Sequence, residues 1–97
     1  MNNIVKMEIR VGGAAGRTLN VKGRNAWALD ALLRAGERGV TPIERPAPRW
    51  SHYVFKLREA GLIVETIDEP HAGTYSGYHA RYVLRSAIEV LEEERAA

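Results

Sequence analysis

Pro42, Pro46 and Pro48 lie so close together in GVTPIERPAPRW that no helix longer than about one turn fits between them. Proline has no N–H to give an i−4 carbonyl, and its ring clashes with the turn before it. The segment therefore reads as a capped turn followed by a break. Thr41-Pro42-Ile43-Glu44 has the form of a capping box. Thr41 would cap the turn, Pro42 suits the first helical position, and Glu44 would reach back to the cap N–H. Pro48 is placed to open the helix that follows.

That helix is expected over 49–60. Trp50, Val54 and Leu57 stand at i, i+4 and i+7, which puts them on one buried face with Tyr53 flanking. Ser51, His52, Phe55, Lys56 and Glu59 fall on other faces, with Phe55 expected to be partly buried. Gly61 suits the stop. Leu62 to Glu69 is β-rich, PHAGTYSG has turn composition, and Tyr78 to Leu84 alternates through Tyr78, Ala80, Tyr82 and Leu84. The two runs predict a hairpin over 62–85.

Upstream, Ile4 to Val11 alternates as a strand, Gly12, Gly13 and Gly16 make a turn, and Thr18 to Lys22 returns. GGAAG lacks the GK[ST] of a phosphate loop and opens no helix directly. Asn25 is expected to cap a helix over 25–36, with Ala26, Leu29, Leu32 and Leu33 on one stripe and Gly36 and Gly39 ending it. Trp27 is expected at or near the core. Ser86 and Glu89 suggest a final short helix, or a tail, over 87–97. The expected core is Ile9, Leu19, Leu29, Leu32, Leu33, Ile43, Trp50, Val54, Leu57, Leu62, Val64, Tyr82 and Leu84. The expected organisation is one domain over 1–86, with an N-terminal hairpin in 1–23, the helical part in 25–60 and the second hairpin in 62–85.

Composition narrows the function classes. A chain of 97 residues supports one core. It has no cysteine, so disulfides, thiolate metal sites and thiol catalysis are excluded. His52, His71 and His79 lack metal-ligand spacing, and neither a metal nor another cofactor is expected. No run reaches the ~18–20 apolar residues of a membrane span, and MNNIVKMEIR lacks a secretory signal, so a cytoplasmic location and no membrane contact are expected. No spacing selects a Ser/His/carboxylate set, and the acids Glu92, Glu93 and Glu94 fall in the expected tail, so neither an enzyme nor a small-molecule substrate is expected. Charge is unevenly spread. From Met1 to Arg85 there are thirteen Lys/Arg against eight Asp/Glu, a balance of +5, and from Ser86 to Ala97 one Arg against four Glu, a balance of −3. A basic body suits a polyanion partner.

The helix over 49–60 carries hydrogen-bond donors in its N-terminal half. A helix of this size fits the DNA major groove, where its first residues would reach base edges. Arg49, Ser51 and His52 are candidates for bases or phosphate, and Lys56 for phosphate. In the hairpin that follows, His71, Tyr75, His79 and Arg81 are candidates for the flanking backbone, with pairing to Glu65 as the other possibility for Arg81. The order short helix, break, amphipathic helix, hairpin is that of a winged helix-turn-helix, and the fold class is α+β with an added N-terminal β-hairpin and a short C-terminal helix or tail.

The segments GRNAWALDALLRAG, GVTPIERPAPRW, LREAGLIVETI and GYHARYVLRS resemble a winged-helix domain family found as small stand-alone proteins in bacteria and their prophages. The resemblance implies a DNA-binding fold in which the helix after the turn reads double-stranded DNA, in a transcriptional regulator or prophage-type accessory factor. In this chain IERPAPRW shortens the helix before the reader to about one turn. A lone module buries limited area, so a homodimer on paired half-sites is expected. The alternative function is a winged-helix protein–protein interaction adaptor without DNA binding, using Phe55 and the acidic tail.

Overall fold

The computed structural model describes residues 3–13, 15–72 and 77–96. Strand β1 (Ile4–Val11) and β2 (Arg17–Lys22) form an antiparallel hairpin, and helix α1 (Gly23–Ala35) follows with no intervening loop. Gly23 makes that corner at φ 62°, a left-handed conformation that side chains disfavour. The helix therefore starts two residues before Asn25, and no side chain caps it. The Gly36 N–H closes its end on the Leu32 carbonyl, and a 3-10 turn occupies Gly36–Arg38.

Residues 41–45 form one turn, closed by the Arg45 N–H on the Thr41 carbonyl. Half of the expected capping box is made: the Glu44 N–H donates to Thr41 Oγ1 at 3.0 Å. The Glu44 carboxylate does not return to a cap N–H. It is drawn instead to Arg38 and Arg81, since two guanidinium groups outcompete one backbone amide. Ile43, expected in the core, is 59% exposed. The turn is anchored by Thr41, which is buried, and by Trp50 Nε1–H donating to the Arg45 carbonyl at 2.8 Å.

Helix α2 (Trp50–Glu59) buries Trp50, Tyr53, Val54 and Leu57. Strands β3 (Val64–His71) and β4 (Gly77–Leu84) form the second hairpin, with Thr66 opposite Tyr82 and Glu69 opposite His79. Val40 bridges to Tyr82 through paired backbone hydrogen bonds of 2.8 and 2.9 Å, so a single residue adds a third chain to this hairpin. That crossing buries Val83 beside Tyr82, whereas simple alternation placed only Tyr82 and Leu84 inward.

The C-terminal segment is neither helix nor tail. Ile88–Arg95 is strand β5, antiparallel to β1, completing a sheet ordered β2-β1-β5. Apolar residues at 88, 90 and 91 provide no helical stripe, and β1 offers an open edge whose N–H and C=O groups need partners. Arg10 faces Glu89 across the pair at 2.8 Å, and Val90 faces Ile9. Ser86, expected as a helix cap, accepts the Ile63 N–H at 2.7 Å.

The core joins both sheets to the helices. Ile4, Met7, Ile9 and Val21 pack on Ala26, Leu29 and Leu32 of α1, and Trp50, Val54, Leu57, Val64 and Tyr82 continue it. Leu19, Leu33 and Leu84 are half-buried at its margin. The alternation in β1 is broken by a bulge between Ile4 and Lys6, which is why Ile4 and Met7 share the inner face.

Candidate nucleic-acid interface

The outward face of α2 follows from its buried stripe. With Trp50, Tyr53, Val54 and Leu57 inside, Ser51, Phe55, Lys56 and Glu59 point out, and His52 lies half-buried beside Tyr53, ring centroids 6.4 Å apart. Phe55 is 54% exposed, not partly buried as expected, because it lies well round the helix from the Trp50–Leu57 stripe. Lys56 pairs with Glu59 at 3.3 Å, an exposed contact worth ~0–1 kcal/mol that another anion can displace. Arg58 ties the helix to β3, donating to the Val64 carbonyl and to Thr66 Oγ1.

Arg49 precedes the helix at φ 66°, ψ 37°, and among the described residues it is the non-glycine residue with positive φ. Such a conformation costs a non-glycine residue ~1–2 kcal/mol. Its exposed side chain makes no hydrogen bond or ion pair among the described residues.

The hairpin presents a different picture. Arg81 donates Nε–H and Nη2–H to the two carboxylate oxygens of Glu69, both at 2.8 Å, and Nη1–H to the Arg38 carbonyl at 2.8 Å and to Glu44 at 3.2 Å. Hydrogen bonds from Arg81, and then from His79, hold the Glu69 carboxyl down to about 2. Arg38 chiefly, and Arg81 with it, lowers that of Glu44, and Glu69 in turn raises that of Arg81. His79 also meets His71, Nδ1 to Nδ1 at 3.1 Å, and its Nε2 lies 2.9 Å from Glu69. Arg81, His79 and His71 thus belong to one intramolecular network running from the hairpin to Arg38 and Glu44. The strand register explains the partner: Glu65 lies opposite Val83 and is taken by Arg85, while Glu69 lies diagonally across from Arg81. Tyr75 lies outside the described residues.

The structure therefore places Ser51, His52 and Lys56 on α2 with Arg49 immediately before it, and turns Arg81 and His79 to a carboxylate. It also assembles a cluster that the sequence did not reveal. Arg24 lies 4.2 Å and Arg45 5.6 Å from the Trp27 ring centroid, and Trp27 lies 5.5 Å from Trp50. The Arg24–Trp27 spacing of i, i+3 on α1 was visible in sequence as a neighbour pair. The arrival of Arg45 was not, because it depends on how the proline-rich turn folds back.

Among the described residues, no helix is long and apolar enough to cross a membrane, and no group of three or more His, Asp or Glu is placed to hold a metal ion. A family model described as a winged helix domain matches residues 18–94, most of the chain. No curated protein and no solved structure gave a match.

Proposed function

The chain belongs to the winged helix domain family, and from that membership we propose that it binds double-stranded DNA through α2 set into the major groove. The role would be that of a transcriptional regulator or prophage-type accessory factor in the cytoplasm. The observation that carries this is the outward face of α2. Arg49 and Ser51 stand exposed at its N-terminal end, half-buried His52 follows, Lys56 lies exposed nearer the C-terminal end, and Arg49 is kept in a costly backbone conformation with its guanidinium unengaged among the described residues. Strain of that kind is found where a side chain is wanted in one place for a ligand. Arg81 and His79 are occupied by Glu69, so the second hairpin supports the helix more than it supplies side chains to phosphate. A homodimer on paired half-sites would double the contact.

The exposed ring of Phe55 on the same helix favours one second reading, a protein-interaction adaptor. Titration of duplex DNA separates the two. Groove binding gives an affinity that falls steeply with salt, and Arg49→Glu with Lys56→Glu abolishes it while the thermal midpoint stays nearly unchanged. Absence of duplex binding at low salt, or binding unaffected by the double charge reversal, would refute the groove model.

A further inference from the structure

We infer that Arg24 and Arg45, gathered around Trp27, form a second contact of this protein with duplex DNA, a phosphate clamp beside α2; the inference rests on DNA binding through that helix. The arginines around the second hairpin differ from those around Trp27. Near the second hairpin, Arg38, Arg81 and Arg85 each meet a carboxylate. Arg24, Arg45 and Arg49 meet none among the described residues.

Arg24 and Arg45 come together at the Trp27 ring. Arg24 is in the first turn of α1, Arg45 ends the turn before α2, and Arg49 precedes α2. Trp50 links them: its ring lies tilted against Trp27 with centroids 5.5 Å apart, and its Nε1–H holds the Arg45 carbonyl. Arg24 Nε–H reaches the Tyr53 hydroxyl at 3.4 Å. The two ring distances place the guanidinium carbons of Arg24 and Arg45 no farther apart than about 10 Å, one Debye length at 0.1 M salt. Two cations that close, neither paired with a carboxylate among the described residues, repel each other, and a polyanion relieves the repulsion.

The geometry selects the partner. Arg24 stands over Trp27 at 4.2 Å, with Arg45 and Trp50 also around the ring, so the indole is engaged by cations and by its aromatic neighbour rather than open to a base. That disfavours single-stranded nucleic acid bound by stacking. Guanidinium groups held near an indole by cation–π attraction are planar and partly immobilised, so little freedom is lost when they take a phosphate oxygen.

The test measures affinity of the full chain for duplex DNA against salt. Each phosphate contact contributes a slope of about 0.9 in log K against log salt, or about 8-fold at 0.1 M, so two contacts give about 60-fold. Arg24→Gln with Arg45→Gln should weaken binding by about that factor and flatten the slope by about 2. Arg24→Lys with Arg45→Lys keeps the slope. Each single Gln variant, usable if the double variant does not fold, should lose about 8-fold. If the Gln variants match the wild type in affinity and slope while Arg49→Glu/Lys56→Glu abolishes binding, the clamp is wrong and the α2 reading stands. A preference for single-stranded over duplex DNA also overturns the clamp. If the wild type does not bind duplex DNA at low salt, both fall.

Discussion

Arg49 gives a test in which stability and binding move separately. It is held at φ 66°, ψ 37°, immediately before α2. Arg49→Gly and Arg49→Ala both remove the guanidinium, but only glycine accepts that backbone without strain. The left-handed conformation costs alanine ~1–2 kcal/mol. Glycine gives back ~0.4–1 kcal/mol through the freedom of its unfolded chain. At the position before a helix, glycine is also preferred to alanine. The balance favours Arg49→Gly over Arg49→Ala by about 1 kcal/mol, or about 4–8 °C in thermal midpoint for a domain of this size. Urea unfolding of both variants, with the m-value checked for constancy, measures the difference. Equal stability, or a more stable Arg49→Ala, would refute the left-handed assignment and with it the claim that strain is stored at the start of α2. Binding should respond to the side chain alone. Loss of a bidentate base contact is worth ~1–3 kcal/mol, so both variants should bind duplex DNA about 5- to 150-fold more weakly. An Arg49→Gly variant that binds like the wild type would remove Arg49 from the interface.

Gly39→Ala should destabilise the fold by at least ~1–3 kcal/mol, because Gly39 sits at φ 73°, ψ −177° and an added Cβ would fall 2.6 Å from the Tyr82 carbonyl oxygen; an unchanged midpoint would contradict the bridge at Val40. Ending the chain at Ser86 should cost more than ~3 kcal/mol, since each ladder hydrogen bond between β1 and β5 is worth ~0.5–1.5 kcal/mol net, whereas a frayed tail would be lost without effect on the melt. Glu69 predicts acid sensitivity. Its folded value is about 2 against an ordinary 4.5, so the stabilisation is complete above about pH 4.5 and is lost as pH falls toward 2. Melting points of Glu69→Gln should decline less across that window than those of the wild type, and parallel declines would contradict the Arg81–Glu69–His79 network.

The local pattern of the chain determined the elements that carry their own signal. Trp50, Val54 and Leu57 specify the inner face of α2 whatever surrounds it, because 3.6-residue periodicity needs no partner to be read. Prolines 42, 46 and 48 specify a turn of one length, and the Gly-rich runs specify where the chain reverses. The order of those elements is enough to indicate a winged helix domain. Other features depended on contacts between residues distant in sequence. SAIEVLEEER has the composition of a helix, but β1 offers an unpaired edge, and the segment becomes a strand because ladder hydrogen bonds outweigh its weak local preference. Phe55 and Ile43 look apolar enough for the core, yet Phe55 lies well round α2 from the Trp50–Leu57 stripe and Ile43 faces out from its turn. Arg81 looks free for phosphate until the register of β3 against β4 brings Glu69 diagonally across from it. Helix identity and chain order were written in the sequence because they arise from neighbours along the chain. Which cations face outward was decided only by the tertiary structure, because whether a guanidinium is neutralised depends on which carboxylate the fold places beside it.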